Sequence, residues 1–202
     1  MHNEVMTASL HHVESDSTDV FGFWLYIMTD CILFGCLFAT FLVLNYQGGH
    51  PAPLRNYVHL YDVLTETFLL LGSNFTFCLG ILSLYQDKIV RTQAWLVITF
   101  LLGASFVSIE LREFIRFAHE GFRWDFSAQA SSFFTLVGTH GLHVSFGLLW
   151  ILLMIIQLFL IKNKNIIKRR LTYLGLFWNF LDIVWVFVFT IVYLMGVMQY
   201  AS

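Results

Sequence analysis

The chain has 202 residues, 58% of them hydrophobic and 12% charged, with two prolines and a mean hydropathy of +0.72. These values exclude a soluble globular domain and indicate an integral membrane protein. A net charge of -2 gives nucleic acid no purchase, so it is not expected as a partner, and the 22 phenylalanines and six tryptophans serve packing and the membrane interfaces.

Residues 1–20 are polar, with His2, Glu4, His11, His12, Glu14, Asp16 and Asp19 and without the Lys or Arg of a signal peptide's basic region, so they are expected to form a loose N-terminal tail. A first apolar span covers 21–44, carries Asp30 and ends at Asn45 and the turn-forming Q-G-G-H-P-A-P. A second covers 57–85, its apolar core following Glu66 in E-T-F-L-L-L-G-S. A third covers 92–117, apolar up to Glu110, after which Arg112, Glu113 and Arg116 mark its exit. A fourth, 128–161, ends in K-N-K-N-I-I-K-R-R, and a fifth, 171–200, carries Asp182. The expected fold is therefore all-α: one transmembrane domain of five helices over 21–202, without a soluble domain or an internal repeat.

Cys31, Cys36 and Cys78 lie in apolar segments without C-x-x-C spacing and are expected to be buried thiols without a metal or redox role. Lys and Arg in short loops set the orientation. Lys88, Arg91, Lys162, Lys164, Lys168, Arg169 and Arg170 fall on the side of the N-terminus, against Arg55, Arg112, Arg116 and Arg123 opposite. The N-terminus is accordingly expected in the cytoplasm and the C-terminus outside.

The fourth span holds the most unusual stretch, S-S-F-F-T-L-V-G-T-H-G-L-H-V-S-F-G from Ser131 to Gly147. At helical spacing Ser131, Thr135, Gly138, Gly141 and Ser145 share one arc, a face of small residues suited to close packing, while His140, His143 and Gly147 lie on the neighbouring arc. With 1.5 Å of rise per residue, Asp30, Glu66 and Asp182 lie roughly 14 to 16 Å into their spans, and the two histidines roughly 18 to 22 Å into theirs. Five ionisable side chains thus share one depth. An unpaired Asp at a helix centre costs about 2.5–3.5 kcal/mol, so these groups should face inward with partners.

Three functional readings of that slab compete with a purely structural polar network. A proton pathway would use the acids and histidines as carriers, but it should extend along the membrane normal rather than cluster at one depth. A haem would take one histidine from each of two facing helices, whereas these two share one helix at i, i+3, so neither a cofactor nor a metal ligand is expected. A transporter site would show helices broken at midspan, and no proline follows Pro53. A structural network of Asp30, Glu66, His140, His143 and Asp182 is the expectation, with Glu113 and Arg116 as an interfacial ion pair at i, i+3.

Longer motifs go further. G-F-W-L-Y-I-M-T-D-C-I-L-F-G-C-L-F-A-T-F, E-T-F-L-L-L, F-F-T-L-V-G-T-H-G-L-H-V and F-W-N-F-L-D-I-V-W-V-F-V-F-T-I-V-Y-L-M-G, in order on four of the five spans, resemble subunit III of the haem-copper terminal oxidases. They are most similar to the five-helix form found in proteobacterial ubiquinol oxidases. The resemblance implies a non-catalytic, cofactor-free subunit of an inner-membrane respiratory complex that oxidises quinol, reduces oxygen to water and pumps protons. Its haems and copper would sit in subunit I, with subunits II and IV as further partners and phospholipids bound to this chain. Its task would be to support the stability and proton uptake of subunit I, and Asp30, Glu66, His140, His143 and Asp182 would cross-link the bundle. Where the family commonly has W-H-F before the last acid, this chain has Trp178, Asn179 and Phe180, so an amide that cannot titrate takes that place. Subunit III of a bacterial cytochrome c oxidase and a small proton-coupled carrier are the alternatives.

Overall fold

The computed structural model describes residues 2–47, 60–119, 127–160 and 164–194, and they are helical apart from short connections. The helices are α1 (His2–Gln47), α2 (Leu60–Tyr85), α3 (Ile89–His119), α4 (Ala128–Leu160) and α5 (Lys164–Val188), with a π-helical segment, Phe189–Leu194, continuing α5. Five stretches are long and apolar enough to cross a membrane: Val20–Asn45, Tyr61–Tyr85, Ile89–Phe117, Ala128–Leu160 and Ile166–Val192. Positions 57–59, 161 and 195–200 of the expected helices lie outside the described residues.

Local chemistry explains the ends. Residues 2–19, expected as a loose tail, continue α1 as helix; they contain neither proline nor glycine, so nothing covalent interrupts the backbone ladder. Between α2 and α3, Asp87 adopts a positive φ of 58°. Lys88 N donates to Ser83 O at 3.1 Å and Asp87 N to Leu84 O at 3.0 Å, which closes α2 in a Schellman motif. Ser127 caps α4 by accepting from Ala130 N at 3.1 Å. α5 begins at Lys164, ahead of the expected 171. Arg170 on it donates to Gln157 Oε1 of α4 at 2.8 Å, and Lys168 stands 3.7 Å from Asp87.

Tertiary contacts divide the chain into two compact units, Met1–Cys36 and Leu37–Ser202. In the first unit, Tyr26 is hydrogen-bonded to Asp30 one turn further along α1, and Thr29 Oγ1 donates to Tyr26 O at 2.7 Å. In the second unit α2 packs on α3, α3 on α4, α4 on α5 and α5 back on α2, closing a ring of four helices. The end of α1 belongs to this unit: Gln129 Nε2 of α4 donates to Leu44 O at 3.3 Å, and Phe38 meets Phe187 edge-on at 6.3 Å.

The core of the ring is aromatic, with Phe77, Phe106, Phe117, Phe133, Phe177, Trp178 and Trp185 fully buried. Glycines make room for it. The Trp178 indole lies where a Cβ on Gly147 would meet its carbons at 2.8 Å and one on Gly103 would meet them at 3.2 Å, so α3, α4 and α5 approach through one ring. Cys31, Cys36 and Cys78 are exposed rather than buried. A thiol is small and weakly polar, so a surface facing acyl chains accepts it as readily as a core does.

Candidate functional site

The buried polar side chains of the ring fall into separate groups. Glu66 on α2 is 1% exposed and lies within electrostatic reach of Glu113, Glu110 and Asp62. Arg116 links α3 to α2, standing 3.6 Å from Glu113 Oε1 on its own α3 and 3.6 Å from Asp62 Oδ2 on α2. Asp62, Arg112, Glu113 and Arg116 also line an open polar hollow of about 310 Å³. The acids of α2 and α3 thus lie around Glu66.

His140 is 0% exposed and sits in an aromatic box. Its ring stacks on Trp185 at 5.3 Å and 29° and meets Phe106 edge-on at 6.1 Å, and Phe106 and Trp185 meet at 4.8 Å and 90°. Such edge and stacked arrangements of π-systems stabilise a core beyond the area they bury. His143 is half-buried, and its Nδ1 is 2.8 Å from Thr139 O, one turn back on α4. Asp182 on α5 is 5% exposed, and neither carboxyl oxygen has a hydrogen-bond partner among the described residues. Asn74 comes near Asp182 without meeting hydrogen-bond geometry, and donates instead to Asn179 Oδ1 at 2.7 Å. Asn179 thus joins α2 to α5, and its own Nδ2 donates to Gly175 O at 2.9 Å.

Other interhelical hydrogen bonds come from residues that the sequence reading passes over. Trp178 Nε1 donates to Ser73 Oγ at 3.2 Å and Trp185 Nε1 to Thr67 Oγ1 at 3.1 Å, both from α5 to α2. The Thr76 and Thr99 hydroxyls meet at 2.9 Å across α2 and α3. The two tryptophans are seven residues apart, the spacing of two turns on one face of α5. That periodicity was the available signal.

The small-residue face of α4 is only partly covered among the described residues, by Phe114 and Glu110 of α3 over Gly138 and Gly141. Thr135 and Ser145 are exposed, and Ser131, Gly138 and Gly141 are half-buried. The buried face of α4 runs instead through Ala130, Phe133, Val137, His140, Val144, Gly147 and Ile151, because these positions point at the aromatic core and small residues offer it little apolar area. Among the described residues there is no group of three or more His, Cys, Asp and Glu placed to hold a metal ion.

A polytopic helical membrane protein with its acids and histidines packed into a ring of spans is the class that this arrangement defines. The sequence model of the family described as cytochrome c oxidase subunit III matches residues 1–197. The chain belongs to that family. It is 49% identical over 187 residues to the cytochrome bo(3) ubiquinol oxidase subunit 3 of Pseudomonas aeruginosa, covering 92% of this chain and 89% of that one. With the protein of the same name from Pseudomonas putida the identity is 46% over 191 residues, covering 92% and 89%. With the cytochrome c oxidase subunit 3 of a Bacillus species, strain PS3, it is 42% over 176 residues, covering 87% and 84%.

Proposed function

We propose that this chain is subunit III of a haem-copper quinol oxidase of the bacterial inner membrane, and that it supports the complex rather than carrying out its chemistry. The observation that carries the reading is the similarity, over nine-tenths of its length, to proteins named as ubiquinol oxidase subunit 3. On this reading quinol oxidation and oxygen reduction take place in subunit I, which holds the haems and copper. Subunits II and IV complete the assembly, and this chain itself carries no cofactor. Phospholipids bind to it, its N-terminus is cytoplasmic and its C-terminus periplasmic, and the complex pumps protons with this subunit supporting uptake.

Asp30, Glu66, His140, His143 and Asp182 are assigned to the internal fastening of the spans. A ring of helices tied through indoles, hydroxyls and amides supports that role, since such ties hold a shape without performing chemistry. The experiment is purification of the tagged chain in mild detergent. Haem absorbance and a larger subunit should accompany it, and a folded, haem-free chain recovered alone from oxidase-containing membranes would reject the assignment.

A second reading has its own support. The Bacillus relative is named a cytochrome c oxidase subunit 3 at 42% identity, close to the values for the quinol oxidase subunits. Supplying the purified complex with quinol or with reduced cytochrome c and following oxygen uptake distinguishes the two donors.

A further inference from the structure

The face of α4 made of Gly138, Gly141 and Ser145 forms, with α3, a groove of about 230 Å³ at the surface of the ring. Its lips are apolar and outward-facing: Leu142 is 73% exposed, and Leu111 stands opposite it. Phe114 leans over Gly138, its ring 3.8 Å from where a Cβ would stand. Glu110 also lines the groove. Its carboxyl lies over Gly141, where a Cβ would meet the two oxygens at 2.8 and 2.9 Å.

Glu110 is 6% exposed, and neither of its oxygens has a hydrogen-bond partner among the described residues. The nearby cation, Arg116, is engaged by Glu113 and Asp62. A buried carboxyl left in this state is costly, and a donor brought into the groove would satisfy it. An acyl chain would fill the volume and supply none. The space suits one large side chain, and glycines and a serine at i, i+3 and i+7 let another helix backbone come close, the usual basis of helix pairing in a membrane.

We propose that the groove between α3 and α4 is a docking surface for a transmembrane helix of another subunit, which inserts a hydrogen-bond-donating side chain onto Glu110. The proposal rests on the subunit reading above. Arg, Lys, Tyr and Trp all combine the necessary length with an N–H or O–H donor. Gly141 has a double part, seating the carboxyl and admitting the partner.

The test uses the full chain in its complex. Gly138→Leu fills the groove without altering Glu110, and Phe159→Leu, at an exposed position near the far end of α4, is the control. In a detergent wash Gly138→Leu should lower the amount of chain retained on the haem-bearing subunit about tenfold, the loss expected for one strong polar contact, and the control should not. In parallel, a photoreactive benzoylphenylalanine at position 142 should cross-link to a polypeptide of another subunit. If no haem-bearing partner accompanies even the unaltered chain, the subunit reading fails and takes this proposal with it. Full retention of Gly138→Leu, or photoadducts confined to lipid, a small molecule or a second copy of the chain, overturns the docking surface alone.

Discussion

Gly147→Ala tests how the ring is held together. The new methyl would stand 2.8 and 3.1 Å from two carbons of Trp178 and 3.2 Å from Phe177. The indole cannot easily retreat. It is 1% exposed, it stands 3.2 Å from the Cβ position of Gly103 on its other side, and its Nε1 is bonded to Ser73. Overpacking of this kind costs about 1–3 kcal/mol. Trp178→Leu removes the obstacle at a cost of its own, about 3 kcal/mol by analogy with other buried Trp truncations, and leaves space for the methyl. Adding Gly147→Ala to Trp178→Leu should therefore cost clearly less than in the unaltered chain, with only the 3.2 Å approach to Phe177 left, so that the two changes are coupled by about 1–2 kcal/mol. Unfolding free energies of the four chains, followed by circular dichroism in mixed dodecyl maltoside and dodecyl sulfate micelles, give the cycle. Additivity within about 0.5 kcal/mol would refute the claim that Trp178 is what Gly147 accommodates.

Trp185→Phe should keep most of the aromatic packing around His140 and lose the 3.1 Å bond to Thr67, lowering stability in the same assay by about 0.6 kcal/mol for the bond plus a modest packing loss. Asp87→Gly should be neutral or slightly stabilising and Asp87→Val destabilising by about 1–2 kcal/mol, because the φ of 58° suits glycine and strains a β-branched residue; the thermal midpoints of the two variants decide this. Ser127→Ala removes the cap of α4 at a cost of about 1 kcal/mol, and hydrogen exchange should speed up in the first turn from Ala128 and remain unchanged near Ile151.

The five spans are legible because apolar length alone marks a membrane crossing, and the burial of Glu66, His140 and Asp182 has the same physical cause, since charge at midspan must face inward. Their neighbours are not legible. Glu66 shares a depth with the histidines, yet depth says nothing about azimuth, and α2 turns it toward Glu110 and Glu113. Glu110 reads as a helix-end group like Arg112, and only the approach of α3 to α4 places its carboxyl over Gly141. The small face of α4 is evident from spacing, but whether it meets this chain or another depends on which arc the aromatic core claims. Lys164 to Arg170 reads as a loop because charge marks the exit from a membrane. It does not mark the end of a helix, and lysine and arginine are good helix formers.

The central claim, that this chain fastens an oxidase instead of taking part in its chemistry, is tested most directly by turnover per haem in membranes carrying Asp182→Leu. The substitution alters a carboxyl that is 5% exposed inside the ring and should lower the yield of assembled complex. Quinol-driven oxygen uptake, divided by the haem of the complex that does assemble, should equal that of the unaltered protein. A normal yield of complex with turnover per haem largely lost would contradict the account.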